Sequence, residues 1–255
     1  MKIEIGGCTG GGPSHPVNED RLMVEKAVLC FGQTALRTDG PTCVAVFDGV
    51  SEGGFGAGAA SLAGEVFSSI AFWRGAQTVE DLRDGIVLAG ERAEDAVERY
   101  RRAVGTRIAA ATVAGLVMLP SEHNAHAAIF NAGDSRVYRL RGGIMKVCSN
   151  DHTPERRQMG VSSMYGQDGV SHVIERAIGL ADGGRKLEVS TSMAFPGDVF
   201  CVCSDGVDGP LGTARLKDLL ARDMTPLAMA LDLRSQARAL GSDDDATVAI
   251  VKIGE

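Results

Sequence analysis

Five aspartates lie beside turns along this sequence, each next to a segment with the pattern of a strand: Asp20, Asp48, Asp134, Asp205 and Asp244. Strand ends on one edge of a layered fold converge in space, so we expect these carboxylates to lie close together. Unpaired carboxylates at close range raise one another's pKa, so such a cluster is tolerated mainly where cations neutralise it. Oxygen ligands suit Mg²⁺ or Mn²⁺, and no Cys/His group in the sequence has zinc spacing.

Each of these aspartates also has a simpler interpretation. Asp48-Gly49, Gly133-Asp134 and Asp205-Gly206 are pairs that commonly form turns, because an Asp side chain can bond its own local backbone. For one such pair taken alone, a turn is the better interpretation. Five aspartates in an ordered series give more weight to a shared site. Both interpretations are open at this point.

The elements that must position these residues follow from the spacing of apolar residues. Strands are predicted over 21–24, 43–47, 108–119, 125–131, 136–141, 144–148, 187–193, 199–203 and 246–253. Helical spacing predicts helices over 59–73, 82–100, 213–221 and 225–240, and Thr78 with Asp81 resembles a capping box before the second. Strands interrupted by paired helices predict an α+β fold, a four-layer α-β-β-α sandwich of two antiparallel β-sheets flanked by helix pairs. The polar stretch at about 153–169 is predicted to be a mobile flap.

Composition narrows the class of protein. The 255 residues are 44% hydrophobic and 23% charged, with no linker or repeat, so we expect a single domain over 1–255. A formal charge of -7 and the lack of a basic cluster argue against nucleic acid as a partner. No apolar run approaches the ~18 residues that a membrane span requires. The start MKIEIGG lacks a signal-peptide pattern and the six cysteines are scattered, so we expect reduced thiols in the cytoplasm.

Six short motifs occur in a fixed order along the chain. They are Asn18-Glu19-Asp20-Arg21, Phe47-Asp48-Gly49, Asn131-Ala132-Gly133-Asp134-Ser135-Arg136, Asp151-His152-Thr153, Cys203-Ser204-Asp205-Gly206 and Asp244-Asp245-Ala246-Thr247. In this order they resemble the PPM/PP2C family of metal-dependent serine/threonine protein phosphatases, in its compact bacterial form. Any one motif is weak evidence, whereas the ordered set is specific. The resemblance extends from about the first predicted strand to the last.

The resemblance implies metal ligands. Asp48 is similar to the carboxylate that bridges two metal ions, with the Gly49 carbonyl as a further ligand. Asp205 and Asp244 match the carboxylates that complete one of the two sites. Asp134 resembles the ligand of a third, weaker metal that it shares with Asp205.

The resemblance also implies a catalytic set, with two departures from the family pattern. Glu19 and Asp20 match the pair that holds metal-bound waters. The implied catalytic set is Asp48, Asp205, Asp244, Asp20 and Glu19. His15 stands where the family usually has a phosphate-gripping Arg, which makes His15 the candidate for substrate binding. Val50 stands where many animal relatives have a general-acid His, so the general acid is either a metal-bound water or a His elsewhere.

Four further residues have structural interpretations. In the last motif, Asp245 stands where the family most often has Asn, and the spacing to Thr247 selects Asp244 as the ligand. His152 is expected to hold the start of the flap by hydrogen bonds rather than to take part in catalysis. Cys201 and Cys203, two apart on a strand, are expected to be buried on one face.

The implied activity is hydrolysis of phosphoserine and phosphothreonine in proteins by direct attack of a water that bridges two metal ions. The cofactors would be two or three Mg²⁺ or Mn²⁺ ions. The implied partners are a phosphorylated protein substrate and a cognate Ser/Thr kinase, with no nucleic acid and no membrane. Two alternatives stay open. One is a pseudophosphatase that binds a phosphoprotein or kinase without turnover, which His15 and Val50 favour; the other is a hydrolase of small phosphate monoesters.

Overall fold

A computed structural model of the protein describes residues 1–51, 53–153, 174–180 and 187–254. Its strands form two six-stranded antiparallel sheets. The first sheet contains, in order across it, β4 (Gly32–Thr38), β1 (Ile3–Gly10), β12 (Ala246–Ile253), β11 (Val199–Cys203), β8 (Arg136–Arg141) and β9 (Ile144–Val147). The second contains β10 (Glu188–Ala194), β7 (Ala125–Ala132), β6 (Ala109–Pro120), β5 (Thr42–Ser51), β2 (Arg21–Val24) and β3 (Ala27–Leu29).

Two helix pairs cover the outer faces of the sheets. Helices α1 (Gly56–Ile70) and α2 (Val79–Val104) pack on the second sheet, and α3 (Asp205–Leu220) and α4 (Pro226–Ala239) pack on the first. A third apolar core lies between the sheets. The predicted four-layer α-β-β-α arrangement is confirmed.

Strand β5 is apolar on both faces because it lies between two apolar layers. Cys43 and Phe47 point toward α1 and α2, while Val44 and Val46 point toward the first sheet. The Phe47 ring meets Phe67 of α1 edge to face, with 5.5 Å between centroids. A strand between two apolar layers has no solvent face, so alternation of polar and apolar residues disappears.

The predicted strands and helices are present, with three additions. Strands β1, β3 and β4 were not predicted, since β1 has three glycines among eight residues and β4 alternates between exposed and half-buried positions. Helix α3 begins at Asp205, eight residues before the predicted start at 213. Its first half contains Pro210 and a kink at Gly212, where φ is 66°, and these helix breakers hide the helical pattern.

Two further expectations concern the end of β5 and the predicted flap. The prediction that Asp48 ends its strand is wrong, because β5 continues to Ser51 and Asp48 lies opposite Thr112 of β6. The predicted flap at 153–169 lies, except for Thr153, outside the described residues.

Two smaller expectations can also be compared with the structure. The side chains of Cys201 and Cys203 are both buried in the core beneath α3 and α4, as expected. No helix within the described residues combines the length and apolar character that a membrane span requires.

The predicted capping box at the start of α2 is confirmed and can be tested. Thr78 Oγ1 accepts a hydrogen bond of 3.1 Å from the Asp81 N–H, and Asp81 Oδ2 accepts one of 2.9 Å from the Thr78 N–H. Thr78→Ala should lower the free energy of unfolding in urea by about 1 kcal/mol. Thr78→Ser, which keeps the hydroxyl, is the control and should lose less than half as much. Equal losses in the two variants would contradict the role of the cap.

Candidate metal centre

The five aspartates are brought together at one end of the sandwich by segments from both sheets. Asp48 interacts electrostatically with each of the other four, and Asp205 interacts with three of them. Asp20 precedes β2, Asp134 lies between β7 and β8, and Asp244 precedes β12. The convergence expected from the sequence is therefore confirmed, and these residues are more than separate turn formers.

Asp20 is fully buried and only partly satisfied. Its Oδ2 accepts a hydrogen bond of 2.7 Å from the Ser204 hydroxyl, whereas no described residue bonds its buried Oδ1. Burial, with the charges of Asp245 and Asp244, raises the pKa of Asp20 to about 7, against the hydrogen bonds from Ser204 and Thr247. A buried carboxylate oxygen with no donor needs a proton, a water or a cation.

Asp48, Asp205 and Asp134 share this electrostatic strain. Burial is the main cause that raises the pKa of Asp48 and of Asp205 well above the ordinary range, and the neighbouring carboxylates add to it. Burial also raises the pKa of Asp134, whose buried Oδ1 has no hydrogen-bond partner among the described residues. A set of crowded oxygen donors with raised pKa values fits a hard divalent cation such as Mg²⁺ or Mn²⁺.

Two glycines allow α1 to start directly against the cluster. A Cβ on Gly49 would lie 2.5 Å from the backbone of Gly56, and a Cβ on Gly56 would lie 2.5 Å from Oε2 of Glu19. A side chain at either position would overlap backbone or carboxylate atoms. Glu19 and Gly49, both expected at the site, therefore lie together beside the N-terminus of α1.

Asp244 and Asp245 have different surroundings. Asp244 is half exposed, and its charge helps to raise the pKa of Asp48 and of Asp205. Asp245 is buried, and its carboxylate accepts hydrogen bonds from the backbone N–H groups of Gly12, at 2.8 Å, and Glu19, at 2.7 Å. Asp245 thus holds two loops in place, and the assignment of Asp244 as the ligand stays a prediction.

His15 lies beside this acidic pair. Its Nδ1 is 3.1 Å from Asp245 Oδ2 and 3.6 Å from Asp244 Oδ1. Burial lowers its pKa, but the hydrogen bond to Asp245 and the charges of Asp245, Asp244 and Glu19 outweigh burial, so the pKa of His15 is raised. The ring is therefore more readily protonated than an ordinary histidine.

Arg136 is a positioning residue that sequence reasoning missed. Its Nη1 donates to Asp208 of α3 at 2.7 Å, and its Nη2 donates to Asp151 at 2.7 Å. It thereby ties β8 to the start of the helix that carries Asp205 and to the loop after β9. Its place two residues after Asp134 in the Gly-Asp-Ser-Arg motif was the signal that could have identified it.

Arg21 has a similar positioning role on the other side of the cluster. Its guanidinium donates to the carbonyls of Asn18, at 2.8 Å, Asp20, at 2.7 Å, and Ala57, at 3.1 Å, and to the Ser61 hydroxyl at 2.8 Å. The loop that carries Asp20 is therefore fixed to the first turns of α1.

His152 holds its loop by hydrogen bonds, as the sequence analysis expected. Its Nδ1 accepts from the Gly133 N–H at 3.1 Å, which assigns the ring proton to Nε2, 3.3 Å from Glu188 Oε2. Burial and the charge of Arg176 lower the pKa of His152 against the opposing effect of Glu188. The residue therefore anchors the segment beside Asp134.

Known proteins resemble this chain in sequence and in structure. The serine/threonine phosphatase stp of Listeria innocua is 25% identical over 182 residues, which are 69% of this chain and 66% of that protein, slightly under two thirds of its length. The structure of the serine/threonine phosphatase of S. agalactiae aligns with a TM-score of 0.79. The two chains are 19% identical over 98% of this chain and 99% of that one. The catalytic domain of the phosphatase PstP, in complex with two manganese ions, aligns with a TM-score of 0.78 and 18% identity over 100% of both chains.

No family model matches the chain. The solved structures share the whole fold, and the sequence likeness to the Listeria protein is independent of them. The chain therefore has the fold of these serine/threonine phosphatases and is similar in sequence to the Listeria protein.

Proposed function

We propose that the protein is a Mg²⁺- or Mn²⁺-dependent phosphatase that hydrolyses phosphoserine and phosphothreonine in proteins. The observation that carries the proposal is the convergence of five carboxylates, from both sheets, in one oxygen-only cluster. The names of the relatives support the reaction class, and the two manganese ions in the PstP complex support a metal-dependent reaction.

In this proposal Asp48, Gly49, Asp205 and Asp244 hold two divalent cations, and Asp134 contributes to a third. The unpartnered Oδ1 of Asp134 and the raised pKa values of the cluster support this assignment. Bound cations would supply an activated water for in-line attack and would neutralise charge on the phosphoryl group.

Glu19 and Asp20 act on water around the ions. Asp20 Oδ2 is occupied by the Ser204 hydroxyl at 2.7 Å, so Oδ1 is the atom that can accept a hydrogen bond from a water. Glu19 is held through its backbone N–H by Asp245, which places its carboxylate beside the N-terminus of α1. The Asp20 carboxylate and the Glu19 backbone are therefore held in place by protein groups.

His15 takes the place of the usual phosphate-binding Arg. Because Asp245 holds Nδ1, Nε2 is the atom available to donate to a phosphate oxygen when the ring is protonated. The raised pKa of His15 favours that state. An imidazolium offers fewer donors than a guanidinium, so it gives a weaker grip.

Further parts of the proposal concern partners and location. A phosphorylated protein is the proposed substrate, and a cognate Ser/Thr kinase is a proposed partner. The six cysteines are all unpaired, which favours the cytoplasm, because disulfides form mainly in oxidising compartments.

Asp205→Asn tests the metal centre. In Mn²⁺ it should lower turnover of both a phosphothreonine peptide and an aryl phosphate by about 100-fold or more, and it should reduce stabilisation by Mn²⁺ in thermal unfolding. In chelator at about pH 7.5 it should be at least as stable as the wild type, because one buried negative charge is removed. Asp218→Asn, an exposed position on the same helix, is the control.

One outcome would reject the proposed function. If calorimetry shows that the wild type binds Mn²⁺ but both substrates stay intact, while an active metallophosphatase hydrolyses them, the protein binds without turnover.

The carboxylate cluster also predicts an unusual pH dependence of stability. The pKa of Asp20 is raised to about 7 and the pKa of Asp48 is raised well above its ordinary range, against about 3.9 in an unfolded chain. Between about pH 4 and 7 the metal-free folded protein binds more protons at these carboxyl groups than the unfolded chain does. The free energy of unfolding of the metal-free protein should therefore fall as the pH rises. With saturating Mn²⁺ the trend should reverse, because ligands must be deprotonated to bind metal.

Thermal unfolding at pH 5, 6, 7 and 8, in chelator and in Mn²⁺, measures this effect. Asp48→Asn is the reference, since the difference between the wild type and this variant isolates the cluster from other titrating groups. In chelator the wild type should lose stability relative to Asp48→Asn as the pH rises. A difference that does not change with pH would contradict the raised pKa values.

His15→Ala tests phosphate binding. It should raise KM for a phosphothreonine peptide by about tenfold, the loss expected for a charge-assisted hydrogen bond, with a smaller change in kcat. His15→Arg should restore KM, because Arg donates without depending on pH. His123→Ala, at a side chain that is 84% exposed, is the control. Unchanged kinetics in His15→Ala would exclude a phosphate-binding role.

A further inference from the structure

Two large apolar side chains are exposed on segments that are hydrogen-bonded, through Asn18, to Asp20 of the proposed metal centre. Phe31 is 74% exposed and Val17 is 60% exposed. Among the described residues, only Ile144 at 75% exposure equals them, and it lies on β9, at the far end of β8 from Asp134. Single exposed apolar residues are ordinary on protein surfaces. The connection of both segments to Asp20, in the proposed metal centre, is the observation that needs a reason.

Asn18 connects both side chains to the site. Its Nδ2 donates to the Cys30 carbonyl at 2.7 Å, in the turn that carries Phe31. Its Oδ1 accepts from the Asp20 N–H at 3.1 Å, and Val17 is its neighbour in the chain. One side chain therefore fixes the turn between β3 and β4, the loop before β2 and the backbone of Asp20.

We propose that Val17 and Phe31, here called the apolar rim, bind an apolar side chain of the substrate peptide on one side of its phosphorylated residue. This inference rests on the proposed function and adds a sequence preference to it. Val17 is three residues from Asp20, so its Cα lies within about 11 Å of the Asp20 Cα. An extended peptide advances about 3.3 Å per residue, so the matching apolar residue lies about two or three positions from the phosphorylated one.

The size of the apolar rim favours a peptide over a second copy of the chain. A Val and a Phe side chain offer on the order of 200 Å² of apolar surface. A stable protein interface buries about 800 Å² on each partner, which is several times more. One Leu or Phe side chain of a peptide is a matched occupant for this area.

The test uses phosphothreonine peptides with a single Leu at one position from three before to three after the phosphothreonine, each compared with the same peptide carrying Ser there. For the best position, the wild type in Mn²⁺ should prefer the Leu peptide by about fivefold in kcat/KM, as expected for partial burial of one aliphatic side chain. In the V17S/F31S variant the preference should fall to near one. Ile144→Ser, which removes an equally exposed apolar side chain far from the site, should keep the fivefold preference.

Affinity and molecular mass are measured on the same proteins. A wild type with no Leu preference, or a V17S/F31S variant that keeps it, would overturn the proposal. Light scattering that shows a wild-type dimer and a monomeric V17S/F31S variant would also overturn it in favour of self-association. If neither peptides nor an aryl phosphate are hydrolysed, the proposed function fails. In that case a Leu preference in peptide affinity, lost in V17S/F31S, would still support the apolar rim, and its absence would overturn it.

Discussion

One electrostatic constraint governs the site: several carboxylates are buried close together, where burial and mutual repulsion disfavour their charged forms. Asp20, Asp48 and Asp205 hold pKa values raised mainly by burial, and each feels the charges of its neighbours. Without a bound cation such a cluster adds no stability to the fold, because the ionised carboxylates would repel one another. Protons or divalent cations relieve the strain, so the cost in stability and the capacity to hold metal arise from the same arrangement.

The residues that hold the cluster differ from those that form it. Asp245 fixes two loops through backbone N–H groups, and Ser204 joins Asp20 to the strand end before α3. Arg21 and Arg136 bind carbonyl and carboxylate groups on elements that flank the site. Each belongs to a motif that also contains an aspartate of the cluster. These short motifs therefore carry both a functional group and the donor that orients its surroundings.

Much of the fold was predictable from local pattern. Strands such as β8, β11 and β12 have the predicted bounds: β11 and β12 are mostly apolar, β8 mixes apolar and charged residues, and each is followed by Gly or Ser. The helix with the Thr78 capping box was predictable from its helical spacing of apolar residues. Strand β1 was not, since its glycines weaken the strand pattern and its pairing with β12 and β4 depends on partners far along the chain. The start of α3 was hidden by Pro210 and by Gly212, where the helix is kinked.

The sequence alone determined the residue types and order: oxygen donors at turns, an ordered series of motifs, and a His where a phosphate-binding Arg is usual. From these it was possible to expect that Asp20, Asp48, Asp134, Asp205 and Asp244 meet. Only the tertiary structure showed that Asp245 holds two loops through backbone N–H groups, that Arg136 joins β8 to α3, and that Asn18 joins the segments of Val17 and Phe31 to Asp20. These outcomes depend on distances between segments that are remote in sequence, and local preferences carry no information about such distances.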